Sequence, residues 1–400
     1  VCGATGPAQR GRGAVQEVSD LAGAPAFAAD HVRGAFDVVV TLESPAELPA
    51  IANRLSRGFS DTRGFTALIA LPLSVQRAPC PVEVRTPAVR GFPVRATSST
   101  MADVLDAIAE PFVVWVGRGA HAFAPLVRSL AERTGARVMS TPRGKGIFPE
   151  DHGLYLGVTG FGGHAAVEDV LERDKPLRAL VLGSRLGEYS SGWDERLVPA
   201  KGFVHVDVDA SAFGAAFPDV PTVPVVADIG AFLEDLLLSL PATTRPAARQ
   251  RSGVTLVPRT GPVRPQALMA AIQNVVVEAV DALVMAEPGN SFTWTNHHLR
   301  FAAPRYRMSG SWASMGHMAT GAVGAALATD RHVVVVSGDG SMMMQNEISA
   351  AAQYGAKVVW VVLNDGRYGI TEAGMSAQGF TPVETRFPRV DFVALARAFG

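Results

Sequence analysis

Two aspartates, Asp339 and Asp365, stand at the ends of two apolar runs, and their spacing points to hard-cation chemistry. Val333 to Val336 runs into Ser337-Gly338-Asp339-Gly340, a helix-like segment follows from about Met342 to Tyr354, and Val358 to Leu363 ends in Asn364-Asp365-Gly366. Short apolar runs flanking a helix read as a strand–helix–strand unit of a parallel sheet. Both strands of such a unit deliver their C-terminal ends to one edge, where ligands bind, so the two carboxylates are expected to meet. Oxygen donors converging there suit Mg2+, which shares its oxygen ligands with phosphate and water. Gly338 and Gly340 permit a tight turn, and a helix starting near Ser341 presents N–H groups to an anion. A lone Gly-Asp-Gly after a strand is usually an ordinary turn. The pairing of two acidic strand ends shifts the reading to a metal-bridged diphosphate.

Other residues are open to two readings. A strand over Ala282 to Ala286 precedes Glu287-Pro288-Gly289-Asn290-Ser291. Gly289, Asn290 and Ser291 suit either a diphosphate contact or an Asx turn. Met315 precedes a small-residue helix, Met318 to Ala328, and by itself reads as a core methionine. His297-His298 and His317 read as structural histidines, with a substrate-facing role for one of the pair or for His317 as the alternative.

Composition narrows the class. Four hundred residues, 48% hydrophobic and 18% charged, describe a globular chain with room for two or three domains. A net charge of -1 gives no electrostatic case for nucleic acid or an anionic membrane. Cys2 and Cys80 fit no metal spacing and suggest a reducing compartment. No apolar run reaches the ~20 residues of a membrane helix, so a cytoplasmic enzyme is expected.

The expected fold is α/β, with three doubly wound parallel-sheet domains. Residues 1–78 hold an extended Phe36 to Val40, a helix near Pro45 to Arg57 and a strand Thr66 to Pro72. Residues 79–100 are a Pro-rich linker. Residues 101–240 carry strands at Phe112 to Val116, Arg137 to Ser140, Ala179 to Leu182 and Val204 to Val208, with a helix over Pro125 to Thr134. Gly117-Arg118-Gly119-Ala120-His121-Ala122 has the form of a dinucleotide-binding turn, yet Val138 to Pro142 lacks the acid expected for a ribose. Residues 241–265 are a second linker, and the last domain covers 266–400.

Gly-Asp-Gly followed about two dozen residues later by Asn-Asp resembles the signature of thiamine-diphosphate enzymes, in wording close to the acetolactate synthase and 2-oxoacid decarboxylase branch. Asn364-Asp365 replaces the commoner Asn-Asn, and the gap is about one residue short, which predicts a rearranged loop after Gly340. The resemblance implies Mg2+ held by Asp339, Asp365 and the Arg367 carbonyl, with Asn364 a weaker candidate. It implies thiamine diphosphate held by Gly289, Asn290, Ser291, Gly338, Gly340, Ser341, the Met342 N–H and Tyr368. Met315 becomes the wedge that bends the cofactor, and the Ala313 carbonyl accepts from its aminopyrimidine; the bend supplies effective molarity for proton abstraction. Tyr368 to Gln378 resembles a mobile region over the site, with Glu372 a candidate substrate contact. Gly11 to Asp20, including Gln16, resembles a Gln-Glu segment late in the pyrimidine-binding domain; its plain alternative is a solvated loop.

The same resemblance implies an internal fragment of the full protein, with the activating glutamate outside this chain. It implies a homodimer or homotetramer with the active site at the subunit interface. FAD or another nucleotide occupies the middle domain of some members; here an empty domain is favoured, with Arg185 equally structural or FAD-facing. The expected activity is decarboxylation of a 2-oxo acid and acyl transfer to a second carbonyl. The alternatives are a simple 2-oxoacid decarboxylase and a non-catalytic homologue.

Overall fold

The computed structural model describes residues 2–4, 36–61, 64–80, 83, 93–241, 262–310, 313–344 and 347–399. Gln16 lies outside the described residues. The chain divides into two compact units, Val1–Val94 and Arg95–Gly400.

In the first unit, β1 (Cys2–Ala4), β2 (Val38–Thr41) and β3 (Ala67–Pro72) form a parallel sheet in the order β1-β3-β2. The helix Leu48–Gly58 links β2 to β3. Its entry is a 3-10 turn in which the Ser44 hydroxyl accepts from the Ala46 N–H, with Pro45 in the first turn, where no N–H is missed. Asp37 fixes the register by accepting from the Thr66 N–H at 2.7 Å.

The second unit holds two parallel sheets. The larger comprises β4 (Phe112–Val116), β5 (Arg137–Ser140), β6 (Tyr155–Val158), β7 (Arg178–Leu182), β8 (Phe203–Asp207) and β9 (Thr222–Val226), in the order β6-β5-β4-β7-β8-β9. The chain winds outward from β4 and then outward from β7, which makes the β4–β7 gap a topological switch point. Alternation sorts the side chains between two cores. Val114, Val116, Leu180 and Leu182 meet Val127, Leu130, Phe232 and Leu233, whereas Val113, Trp115, Ala179 and Val181 meet Val167 and Leu171. Burial on both faces explains why β4 and β7 are almost wholly apolar. The edge strands β6 and β9 escape sequence detection for local reasons. Gly157 sits in β6 at φ 145°, and Pro224 sits in β9, tolerated because an edge strand spares one ladder bond.

The smaller sheet comprises β10 (Leu283–Ala286), β11 (Tyr306–Met308), β12 (Val333–Gly338) and β13 (Val358–Leu363), ordered β11-β10-β12-β13. Leu283 pairs with Val333, and Gly338 with Leu363, so the tips of β10, β12 and β13 end side by side. The helix His317–Thr329 lays Ala322 and Ala326 on Met285, Val333 and Val335; small residues permit that approach. The helix expected over Met342 to Tyr354 is instead two pieces, Asp339–Met342 and Ile348–Tyr354. The first starts three residues earlier than the pattern suggests and closes in a tighter turn, with the Met344 N–H on the Ser341 carbonyl. Glu347 accepts from the Thr320 hydroxyl at 3.1 Å.

A buried ion pair lies where the two sheets' loops meet. Lys145 Nζ is 2.9 Å from Glu150 Oε2, both side chains are wholly buried, and the Glu150 N–H donates to the Phe301 carbonyl. Gly146 is left-handed there (φ 75°), and a Cβ would stand 2.2 Å from the Ala303 carbonyl oxygen. Nearby, His164 Nδ1 accepts from the Val158 N–H, so Nε2 donates to the His297 carbonyl at 2.8 Å. Burial pushes this ring down to a pKa of about 4. His297 Nδ1 donates to the Gly163 carbonyl and His298 stacks on Trp294. Among the described residues no helix is long and apolar enough to cross a membrane.

Candidate active site

Three adjacent strand tips build the site. Asp339, 1% exposed, follows β12 directly. Its Oδ1 accepts from the Gly340 N–H at 2.8 Å and its Oδ2 from the Gly366 N–H at 2.6 Å, which ties the tips of β12 and β13 together. Two N–H donors make a buried carboxylate tenable and leave further lone pairs for a ligand. Asp365 is exposed beside that link, and its Oδ2 accepts from Arg367 Nε at 2.8 Å. From the third tip, Asn290 opens the helix Asn290–His298 after Gly289, whose φ is 105°. Asn290 Nδ2 lies 2.7 Å, and Asp365 Oδ2 3.5 Å, from where a Cβ on Gly369 would be. Glycine at 369 thus lets amide and carboxylate converge. The Tyr368 ring closes over Gly340, 2.7 Å from its would-be Cβ, while a Cβ on Gly338 would meet open space. Asn364 turns away, its amide donating to the Val390 carbonyl.

Glu287, at the tip of β10, holds the neighbouring turns. It is fully buried. Oε2 accepts from the Gly316 N–H at 3.0 Å, and Oε1 from the N–H groups of Met318 at 2.6 Å and Ala319 at 2.7 Å. The Ser341 hydroxyl donates to the same carboxylate. Burial pushes the carboxyl upward, and these four donors pull it back. The Ser291 hydroxyl donates to the Glu287 main-chain oxygen at 2.9 Å. Both serine protons are therefore directed at Glu287, which leaves the Asn290 amide as the side-chain donor facing the tips. A lone glutamate closing an apolar strand reads in sequence as a surface residue; the only hint is its position before Pro288-Gly289.

The turn held by Glu287 carries Ala313 and Met315. Ala313 has φ 46°, a left-handed value costly for a residue with a Cβ, and its N–H donates to the Gly310 carbonyl. Met315 is 44% exposed, whereas Met269 is fully buried. The core-methionine reading of Met315 thus fails, and its side chain is free to meet a ligand.

The donor set fits magnesium better than a transition metal. Among the described residues no three His, Cys, Asp or Glu side chains cluster as a metal site. What converges is carboxylate and amide at a strand edge, which suits an ion that completes its shell with phosphate and water. The open space above Gly338 leaves room for such an anion.

Two family models match the chain. The family model described as thiamine pyrophosphate enzyme, C-terminal TPP binding domain, matches residues 287–400. The model described as thiamine pyrophosphate enzyme, central domain, matches residues 99–236. The chain belongs to the thiamine pyrophosphate enzyme family. It is 27% identical to the acetolactate synthase large subunit of Parasynechococcus marenigrum, covering 90% of this chain and 61% of that protein. It is 27% identical to acetolactate synthase isozyme 1 large subunit of Escherichia coli, covering 88% and 65%. It is 30% identical to the putative acetolactate synthase large subunit IlvB2 of Mycobacterium tuberculosis, covering 68% and 50%. The chain thus spans between 50% and 65% of the length of these relatives.

In this thiamine pyrophosphate enzyme the glycines of Gly117 to Ala122 serve packing. A Cβ on Gly117 would lie 2.5 Å from the Gly183 carbonyl oxygen, and one on Gly119 2.8 Å from the Gly183 Cα. The two turns at the switch point lean on each other's backbone. Beside them is a cleft of about 600 Å3, lined by Arg118, Arg143, Arg185, Glu188 and Asp207 among others. Arg185 pairs with Asp209. Burial, then the charges of Arg118 and Arg143, push Arg307 near this cleft down to a pKa of about 10.

Proposed function

We propose that this chain forms the cofactor-holding part of a thiamine-diphosphate- and Mg2+-dependent carboligase of the acetolactate synthase type, acting on a 2-oxo acid. The observation that carries the proposal is the meeting of Asn290 and Asp365 across Gly369, beside buried Asp339, on adjacent strand tips. Asp339, Asp365 and the Arg367 carbonyl would hold Mg2+. Asn290, with main-chain N–H groups of the Gly338–Met342 turn, would hold the diphosphate. When bound, thiamine diphosphate supplies the nucleophilic carbon that attacks the 2-oxo acid and takes up the electrons released with CO2.

The protein's own residues position and shield. Exposed Met315 offers an apolar support under the cofactor, and the Ala313 carbonyl an acceptor for its aminopyrimidine. The Tyr368 ring closes over Gly340. Glu372, a candidate substrate contact, is engaged by Arg386 at 3.1 Å and Arg367 at 3.5 Å, which hold its carboxyl below the usual range. These pairs tie the helix Gly369–Ala377 to Arg367 and Arg386.

An empty middle domain stays the favoured reading, since Arg118 and Arg143 in the switch-point cleft stand beside Glu188 and Asp207 and Arg185 is paired with Asp209; a flavin spectrum in the purified protein would overturn it. The proposal includes domain limits at 79–100 and 241–265, a homodimer or homotetramer, and a cytoplasmic location. The decisive experiment is calorimetric titration of the chain with thiamine diphosphate with and without Mg2+, followed by product analysis from pyruvate with the full-length protein. Mg2+-dependent binding and acetolactate or acetoin are expected. Aldehyde alone would make the protein a simple decarboxylase, and no binding would leave a non-catalytic homologue.

A further inference from the structure

We propose that Glu287 is the positioning residue that sets the Ala313–Met315 turn against the Gly338–Ser341 turn, so that the ring end of the cofactor depends on this one buried carboxylate and the diphosphate end does not. The proposal rests on the thiamine-diphosphate reading above.

Glu287 joins three segments far apart in sequence. It is rooted at the tip of β10, where its N–H donates to the Val336 carbonyl at 3.0 Å. Its carboxylate gathers the N–H groups of Gly316, Met318 and Ala319 and the hydroxyl of Ser341. A carboxylate offers about four acceptor positions, so this one is saturated from within and leaves little capacity for a ligand. Three of its donors are at the start of the helix His317–Thr329, where a negative charge also meets the positive end of the helix dipole.

The turn it grips needs an external hold. Ala313 is left-handed, and such backbone persists only where its surroundings over-determine it. The bond from Glu287 to the Gly316 N–H acts one residue past Met315. Gly316 is itself left-handed, at φ 86°, with Met344 3.1 Å from its would-be Cβ. The diphosphate side, which Glu287 touches only through Ser341, has a second hold of its own in Asp339 on the N–H groups of Gly340 and Gly366. Weakening Glu287 should therefore free the wedge and spare the Asp339 link.

The test compares the unsubstituted 400-residue chain with Glu287→Gln and Glu287→Asp. Glutamine keeps the shape but replaces one acceptor oxygen with a donor; aspartate keeps the charge but shortens the reach. Affinity for thiamine diphosphate and for inorganic diphosphate, each with Mg2+, is measured by calorimetry. Amide hydrogen exchange at 316–319 is followed in the ligand-free chain. Thiamine diphosphate binding should weaken about tenfold or more, the loss of one charged hydrogen bond, while inorganic diphosphate stays within about threefold. Exchange at 316–319 should rise about tenfold with β12 unchanged. Equal losses for both ligands, unchanged exchange, or failure of both variants to fold would each overturn the proposal. If the unsubstituted chain binds inorganic diphosphate but not thiamine diphosphate, the cofactor reading fails by itself. Faster exchange in the variants then still upholds the hold of Glu287 on the turn, and unchanged exchange overturns it.

Discussion

The two sheet edges of the second unit follow one grammar and put it to different uses. Each has an apolar strand, a glycine-rich turn and a helical segment: Gly117-Arg118-Gly119 after β4, Gly338-Asp339-Gly340 after β12. At the first edge the glycines touch another backbone, and a Cβ on either would strike Gly183. At the second, Gly338 faces open space and the residue between the glycines is a buried carboxylate that reaches across to the next strand. A glycine turn at a strand end therefore signals close approach; only the neighbouring polar groups tell whether backbone or ligand is approached.

That contrast can be broken most forcefully at Asp339. Asp339→Ala removes the link to Gly366 and an oxygen ligand, and Mg2+-dependent thiamine diphosphate affinity should fall more than about a hundredfold, roughly 3 kcal/mol. Calorimetry checks this; a variant that binds within a few-fold of the original would erase the difference between the edges. Gly117→Ala should do the reverse. Forcing a Cβ against the Gly183 backbone should cost on the order of 2 kcal/mol in denaturant unfolding, with thiamine diphosphate affinity of the folded protein unchanged.

The smallest effect lies at the seam between the edges. The His164 pKa of about 4 in the folded chain lies below its ordinary value of 6.5. On acidification the unfolded chain binds the proton first, so this contribution is complete above about pH 6.5 and declines as pH falls toward 4. With the ring partly screened by water, the loss should be on the order of 1 kcal/mol. Melting curves between those pH values should show it, and His164→Gln should remove the slope.

Much of this architecture is legible in the sequence because burial on two faces leaves uninterrupted β-branched runs. β4 and β12 are examples; β13 is as apolar although it is a half-exposed edge strand, and the acidic residues after β12 and β13 reveal the site. β6 and β9 are hidden by Gly157 and Pro224, residues that edge strands accept and patterns reject. Met315 cannot be placed by spacing alone, since a core methionine and an exposed one look the same. Glu287 is hardest to see: the N–H groups it binds come from 29 to 32 residues further along the chain, and no local pattern records them. The Met342 to Tyr354 stretch misleads in the opposite sense: its composition is helical throughout, yet the helix stands in two pieces, Asp339–Met342 and Ile348–Tyr354.

The wholly buried Lys145–Glu150 contact has a consequence for the conditions the second unit can tolerate. Counter-ions weaken attraction only where they can approach, so brine should loosen surface pairs such as Arg95–Asp235 and leave this fastening untouched. Both partners stand on one loop, and its hold on the other sheet is the Glu150 N–H on the Phe301 carbonyl with Gly146 packed on Ala303, contacts that salt does not screen. The two sheets should therefore separate through heat or chaotrope, together with general melting of the unit, and not through a rise in ionic strength.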